Sequence, residues 1–433
     1  MPDFPLYLYL YPAVFLIVIV LYMTRQRKKN ESHSAQLQES IEAGLTEPPS
    51  LHPIVDLARC MGSGACVKAC PEKALGVVNG KAVLINASHC IGHGACATAC
   101  PLEAIKLVFG TARRGIDIPN VTPKFESNVP GIFIAGELGG MGLVRKAAEQ
   151  GRQAIDALRH KTGGKADYDV VIVGCGPAGV SAGLAALEHK LRYKIVEQED
   201  NLGGAVYHYP RRKLVMNVEL KLALVPPVKF GEIQKEDLLK FWLNIVDKTG
   251  LQISFRERME GIDREKGYFV VRTDRGRYTT RNVLLALGRR GTPRKLEVPG
   301  EESPKVVYRL IDPVQYAGQA ILVVGGGDSA LEAAITLSEQ AGTDVTLSYR
   351  SAAFSRVKPK NRTLLEQHQQ AGRLRVLLNS QVLSIAKDHV EIDNNGVRER
   401  LRNDDVIVCA GGLLPIPLLK DIGLEFETKY GTA

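Results

Sequence analysis

Six of the eight cysteines lie in two blocks of the same design, and this repeat constrains the chain more than any other feature. The first block ends at Pro71 and the second at Pro101, each directly after a cysteine, and each has glycines after its first cysteine. Between the blocks, residues 81–85 predict a short strand. Thiols repeated in this way favour metal ligation. The six are Cys60, Cys66, Cys70, Cys90, Cys96 and Cys100.

Residues 51–108 resemble a two-cluster bacterial ferredoxin, whose blocks follow the pattern C-x2-C-x2-C-x3-C-P. Both blocks match this pattern at the first, third and fourth cysteine and at the proline, and both lack the second cysteine. In such ferredoxins the fourth cysteine of each block ligates the other cluster. The resemblance therefore implies two ligand sets, one of Cys60, Cys66 and Cys100 and the other of Cys90, Cys96 and Cys70.

Ser63 and His93 stand where the second cysteines are missing. Serine is a weak ligand, so we expect a [3Fe-4S] cluster or a [4Fe-4S] cluster with a labile iron in the first block. A neutral imidazole makes a cluster less negative and raises its reduction potential, and we favour ligation by His93 over a surface histidine beside a three-iron cluster. A structural zinc site would prefer paired C-x2-C spacings, and disulfides are rare in the cytoplasm.

A second constraint is an apolar strand, residues 168–173, that runs into a G-x-G-x-x-G turn and then into a helical pattern. The glycines allow a tight turn and a close approach to a pyrophosphate, and an acid at the end of the next strand takes the ribose hydroxyls. Two further glycines supply a second backbone approach. We predict an FAD site on Gly174, Gly176, Gly179, Glu197, Gly203 and Gly204.

The same arrangement recurs after residues 320–324, where Gly325, Gly327 and Ala330 form the turn. The following strand ends without an acid, and Arg350 and Arg356 come next. Arginine there suits a 2′-phosphate, which favours NADPH. The alternative is NADH beside a solvated basic loop.

From these motifs, residues 168–426 resemble the low-molecular-weight thioredoxin reductases, including their ferredoxin–NADP and bacillithiol-disulfide reductase branches. The resemblance implies an α/β fold with two Rossmann-like domains, for FAD and NAD(P). We place the FAD domain at 166–292, the NAD(P) domain at 293–409 and a return to the FAD domain at 410–433. The thioredoxin reductases carry a reactive C-x-x-C in the pyridine-nucleotide domain, and residues 294–408 of this chain contain no cysteine. Cys175 and Cys409 are expected to be structural.

The family's closing FAD motif lies upstream of the first Rossmann strand in this chain, at residues 128–142. It includes Gly136 and Glu137, where the family has Gly-Asp, and a helix is predicted through Leu158. The glutamate is expected to meet the ribityl hydroxyls. We interpret residues 109–165 as a circularly permuted segment, and a domain swap with a neighbouring chain is the alternative.

The N-terminal residues 4–23 are uncharged and almost wholly apolar, and Arg25, Arg27, Lys28 and Lys29 follow. This predicts a single transmembrane helix within residues 1–24, with the remainder on the cytoplasmic side. Residues 25–50 are predicted to be a linker, with a short helix over 34–43. The net charge of +9 is spread out and aromatics make up 6%, which disfavours nucleic acid as a partner.

Together these features predict a membrane-anchored NAD(P)H oxidoreductase that uses FAD and two Fe–S clusters, [4Fe-4S] with one [3Fe-4S] as an alternative. We expect a redox protein or a quinone as its partner, and a homodimer is one assembly that we consider. The rival hypotheses are a thioredoxin reductase-like thiol-disulfide reductase and an Fe–S and flavin redox sensor. The sequence identifies no catalytic acid or base.

Overall fold

The computed structural model describes residues 7–48, 51–112, 114–140, 142–161, 165–209, 214–216, 219–226, 228–229, 233–289, 292–355, 357–413 and 415–431. The chain forms two compact units. The first comprises residues 1–113, 353–359 and 431–433, and the second comprises residues 114–352 and 360–430.

The first unit contains a small α+β domain built from two similar halves. Strand β1 pairs antiparallel with β4, and β2 pairs antiparallel with β3. One short helix follows the Gly-rich turn of each cysteine block. In chain order the elements are α1 (Tyr7–Glu42), β1 (His52–Val55), α2 (Ala65–Ala69), β2 (Leu75–Val78), β3 (Lys81–Leu84), α3 (Ala95–Thr98) and β4 (Ile105–Val108).

Helix α1 differs from the predicted short helix and linker, because it runs unbroken from Tyr7 to Glu42. The polar part of the helix is rich in Glu, Gln, Lys and Arg, which favour helix, and it packs on β2. The prediction that residues 25–50 form a linker therefore does not describe residues 25–42. Within the described part of the chain, no helix combines the length and apolar character needed to span a bilayer.

The second unit is α/β, as predicted, and its first sheet has the order β13-β14-β15-β7-β8, with β6 also paired to β15. Helices α4, α5 and α6 contribute to one apolar core against this sheet. The elements are β5 (Ile116–Pro119), β6 (Ile132–Ile134), α4 (Val144–Leu158), β7 (Tyr168–Val173), α5 (Pro177–Glu188), β8 (Tyr193–Val196), β9 (Leu214–Met216), β10 (Glu219–Leu220), β11 (Val228–Lys229), β12 (Ile233–Gln234), α6 (Lys235–Thr249), β13 (Met259–Glu265), β14 (Tyr268–Thr273) and β15 (Arg277–Leu285).

A second, wholly parallel sheet has the order β17-β24-β18-β19-β20. The antiparallel strands β21, β22 and β23 form a separate small sheet. The elements are β16 (Thr292–Pro293), β17 (Val306–Val307), β18 (Ala320–Val324), α7 (Asp328–Ser338), β19 (Asp344–Tyr349), α8 (Pro359–Gln370), β20 (Leu374–Leu378), β21 (Ser380–Ile385), β22 (His389–Asn394), β23 (Val397–Arg402), β24 (Asp405–Val408), β25 (Gly412–Leu413), α9 (Ile416–Asp421) and β26 (Phe426–Lys429).

The upstream segment completes the first sheet of its own chain. Strand β6 pairs parallel with β15 at Val283–Leu285, and β5 pairs antiparallel with β26 near the C-terminus. Helix α4 packs closely against α5. In this structure the segment packs within its own chain, which is the arrangement that a circular permutation requires.

Candidate functional site: two cysteine clusters and two nucleotide turns

The six repeated cysteines form two groups in the structure. The Cys96 thiol interacts electrostatically with Cys90 and Cys70, and the Cys66 thiol interacts with Cys60 and Cys100 and also with Cys96 of the other group. Burial, followed by the neighbouring thiolates, raises the pKa of the Cys66, Cys90 and Cys96 thiols. Each group takes its last member from the other block. This is the crossed arrangement that the ferredoxin resemblance implies.

Every one of these sulfur atoms accepts a backbone N–H. The N–H of Ala82 lies 3.3 Å from Cys60 Sγ, and those of Ala74 and Ala104 lie 3.4 Å from the sulfurs of Cys70 and Cys100. Hydrogen bonds to the sulfurs stabilise the thiolates and tune the potential of an Fe–S cluster. The donor set therefore fits two Fe–S clusters. The remaining donors are Val67 for Cys66, Gly92 for Cys90 and Ala97 for Cys96.

A small cavity of about 20 Å³ lies at the second cysteine group. Its lining includes Cys70, Cys90 and Cys96, and also His93 and Glu72. The structure thus brings His93 together with the three cysteines of one group. Among the described residues, no three His, Cys, Asp or Glu side chains stand close enough to share a single metal ion.

Ser63 and His93 are both exposed. The hydroxyl oxygen of Ser63 accepts the N–H of Ala65, 3.5 Å away, at the start of α2. The N-cap residue of this helix is Gly64.

The first Gly-rich turn leaves little room for side chains. Gly174 has a φ of 103°, and a Cβ at Gly179 would stand 1.9 Å from the carbonyl oxygen of Gly174. Gly203 and Gly204 have φ values of 111° and 53°, and the carbonyl of Cys175 accepts the N–H of Gly203. Gly174 lies in the turn before α5, whereas Gly203 and Gly204 follow β8. The hydrogen bond from Gly203 joins these two segments near the start of α5, where a pyrophosphate would bind.

Glu197 ends β8 beside this turn. Its carboxylate accepts the N–H of Cys175 at 2.6 Å and that of Glu199 at 3.0 Å. Burial raises its pKa, although both N–H groups oppose this effect. The predicted ribose acid is therefore held in place by the backbone on both sides.

The upstream segment brings Glu137 to the same sheet. Gly136 has a φ of 87°, and its N–H donates to Gln150 Oε1 at 3.0 Å. Glu137 Oε2 accepts the N–H of Arg289 at 3.5 Å. The guanidinium of Arg289 donates to the carbonyl of Asp117 at 3.0 Å, and burial lowers the pKa of Arg289. Arg289 was not among the site residues predicted from the sequence.

The second Gly-rich turn joins β18 to α7. A Cβ at Gly325 would lie 2.5 Å from the carbonyl oxygen of Cys409, and a Cβ at Gly326 would overlap the Tyr349 ring. Around Gly327 there is open space. Ala330 is fully buried in α7. The turn is thus closely packed behind Gly325 and open at the start of α7, where a phosphate would bind.

Arg350 directly follows β19 and is exposed. It occupies the place where an NAD-binding protein carries an acid. Arg356 was predicted beside it and lies outside the described residues.

Comparison with known families agrees with this geometry. The profile of the pyridine nucleotide-disulphide oxidoreductase family matches residues 171–432, which is more than half of the chain. The chain belongs to this family. A 4Fe-4S dicluster domain matches residues 52–101. The protein is therefore a flavin-dependent oxidoreductase with an Fe–S domain.

The relatives that this chain resembles are named as reductases. The ferredoxin–NADP reductase of Thermus thermophilus is 30% identical, over 60% of this chain and 77% of that protein. The ferredoxin–NADP reductase of Ignicoccus hospitalis is 31% identical, over 60% and 83%. The structure of the bacillithiol disulfide reductase Bdr from Staphylococcus aureus is 26% identical with a TM-score of 0.54, over 59% and 80%.

Cys175 does not resemble the reactive cysteine of a disulfide reductase. It is completely buried, and burial raises its pKa far above the usual range. A reactive cysteine needs a lowered pKa and access to its substrate. Cys409 follows β24 and is half-buried, and its N–H donates to the carbonyl of Val324 at 2.7 Å.

Proposed function

We propose that the protein transfers electrons between NADPH and its own two Fe–S clusters through FAD, and from the clusters to an acceptor outside the chain. One observation carries this proposal: a family flavoprotein and a dicluster domain occupy one chain, and the buried Cys175 offers no thiol exit for electrons. Two relatives are named for ferredoxin and NADP. In this chain a ferredoxin-like domain is built in.

The residues of the flavoprotein bind and orient the nucleotides. When bound, FAD supplies the conversion between a hydride, which carries two electrons, and single electrons. Gly174, Gly176 and Gly179 let the backbone approach the pyrophosphate, and the carboxylate of Glu197 accepts hydrogen bonds from the ribose hydroxyls. Glu137 is oriented by the N–H of Arg289 toward the ribityl chain. No side-chain acid or base has to move a proton.

The second turn selects the pyridine nucleotide. Its Gly325 backbone and the open space at Gly327 admit the phosphates. We propose that Arg350, together with Arg356, binds the 2′-phosphate of NADPH, because an exposed guanidinium at this position matches a phosphate in charge and geometry.

The cysteines hold the clusters in crossed sets. His93 is the fourth ligand of the cluster held by Cys70, Cys90 and Cys96, and its presence in their cavity supports this assignment. Serine is a weak iron ligand, so the other cluster, held by Cys60, Cys66 and Cys100, has three cysteine ligands and an iron that is easily lost.

The protein also attaches to a membrane through its N-terminal helix, with both units on the cytoplasmic side. Residues 14–23 of α1 are apolar and exposed on every face of the helix, with Leu16 65% and Tyr22 66% exposed. A helix that is apolar all round needs an apolar surrounding. This location favours a quinone or another membrane-associated redox partner as the acceptor.

The test uses the reconstituted full-length protein without oxygen. NADPH is added, then NADH in a separate sample, while flavin absorbance and low-temperature EPR of the clusters are followed. We expect the flavin to bleach and the cluster signals to change within one turnover, faster with NADPH. A Cys175→Ala variant is expected to behave in the same way.

Two results would replace the proposal. Bleaching of the flavin without any cluster response, combined with loss of disulfide reduction in Cys175→Ala, would indicate a thiol reductase. Negligible turnover with every acceptor, combined with loss of one cluster on brief exposure to air, would indicate a redox sensor.

A further inference from the structure

Helix α1 joins the apolar N-terminal segment to the ferredoxin-like domain without a break. Its exposed apolar residues end at Met23, and four exposed basic residues follow. Clusters of this kind next to an apolar segment attract anionic headgroups. The basic residues are Arg25, Arg27, Lys28 and Lys29.

One face of the same helix is fixed to the domain. Asn30 Oδ1 accepts the N–H of Asn79 at 2.7 Å, His33 Nδ1 accepts the N–H of Val77 at 3.1 Å, and the hydroxyl of Ser40 donates to Asn86 Oδ1 at 3.0 Å. Positions 30, 33 and 40 recur at helical spacing, so these three side chains share one face of the helix.

The contact at His33 is close. Val77 lies in β2, and a Cβ on the preceding Gly76 would stand 2.9 Å from the His33 ring. A side chain at Gly76 would therefore push the helix away. Ser40 is buried, whereas Glu31 on the opposite face is exposed. The helix is bound at several points along its polar half and cannot act as a flexible tether.

We propose that α1 is a rigid arm, which holds the ferredoxin-like domain at a fixed height and orientation over a bilayer containing anionic lipids. This inference rests on the proposed membrane attachment. At 1.5 Å per residue, the rise from Thr24 to His33 is about 14 Å. The hairpin of β2 and β3, which lies between the two cysteine blocks in the sequence, therefore stays near the headgroups.

The experiment uses the native clusters as orientation probes. Full-length holoprotein is placed in vesicles of phosphatidylcholine and phosphatidylglycerol, which are dried into oriented multilayers, and the clusters are reduced with dithionite. On a rigid arm, all clusters share one orientation relative to the membrane normal, so their EPR spectrum changes as the sample is rotated in the field.

Two variants and one control complete the test. Insertion of Gly-Ser-Gly-Ser-Gly between Arg27 and Lys28 should abolish the angular dependence, and the double variant Asn30→Ala/His33→Ala should weaken it. Glu31→Gln, on the opposite and exposed face, should leave it unchanged. Spectra of frozen solutions measure the cluster content of each protein, so that loss of a cluster is distinguished from loss of orientation.

The outcomes separate this inference from the membrane proposal. Wild-type protein that floats with the vesicles and gives an EPR spectrum independent of angle refutes the rigid arm and leaves the attachment standing. Protein that fails to float with these vesicles refutes the membrane attachment, and with it the rigid arm. If the insertion variant loses its clusters, the wild type and the double variant decide the question.

Discussion

Replacement of Gly151 by Ala tests how the permuted segment packs. Gly151 lies in α4, and a Cβ there would stand 2.0 Å from the carbonyl oxygen of Ala178 in α5. An ordinary carbon–oxygen contact is about 3.3 Å or longer. The two helices would therefore have to separate by about 1 Å, because the obstacle is backbone and cannot rotate away. Helix α5 begins at the Gly-rich turn for FAD, so this displacement would reach the cofactor site.

The sign of the effect is informative. Gly→Ala within a helix usually stabilises a protein by about 0.5–1 kcal/mol. Over-packing costs about 1–3 kcal/mol, and the clash with backbone favours the upper end of this range. We expect a net loss of about 2 kcal/mol in the free energy of unfolding, and weaker FAD binding. Urea unfolding followed by flavin fluorescence and circular dichroism measures both.

Gly183→Ala is the matched control within α5. Its Cβ would meet the methyl ends of Ile195 and Leu251 at 2.5 and 2.9 Å, which can rotate away. We expect a smaller loss than for Gly151→Ala. A Gly151→Ala protein as stable as wild type, with unchanged FAD affinity, would refute the close packing of α4 on α5.

Three further predictions concern the redox sites. Arg350→Ala should raise the KM for NADPH about tenfold, which corresponds to about 1.4 kcal/mol, and leave the KM for NADH unchanged; an equal effect on both would refute a 2′-phosphate role. His93→Cys should lower the potential of one cluster in an EPR-monitored titration, because a thiolate adds negative charge, and an unchanged potential would contradict ligation. Lys81 donates from Nζ to the carbonyl oxygens of Leu57 and Cys60 at 2.8 and 2.7 Å. Lys81→Gln should lower the potential of the cluster held by Cys60, since a nearby cation stabilises the reduced form, while the exposed Lys106→Gln serves as its control.

Local patterns predicted much of the fold and of the site. The strands Tyr168–Val173 and Ala320–Val324 have the predicted bounds. Apolar runs followed by Gly-rich turns predict such strands because both signals lie within a few neighbouring residues. The crossed cysteine groups were predicted from the ferredoxin resemblance, which rests on the cysteine spacing in the two blocks.

Contacts between distant segments could not be predicted in the same way. The backbone N–H of Arg289 donates to Glu137, which is far away in the sequence. Neither the charge of Arg289 nor the residues next to it predict this contact. The polar half of α1 was predicted as a linker, because a composition of polar residues fits a solvated tether and a surface helix equally well.

The sequence by itself determined the cysteine spacing, the two Gly-rich turns and the absence of a reactive dithiol, because each is a property of neighbouring residues. Only the tertiary structure decided that β6 pairs with β15 of its own chain, that α1 is bound to β2, and that His93 shares a cavity with three cysteines. The physical reason is that these contacts form between residues far apart in the sequence. They depend on how the helices and strands pack, which the spacing of residues along the chain does not specify.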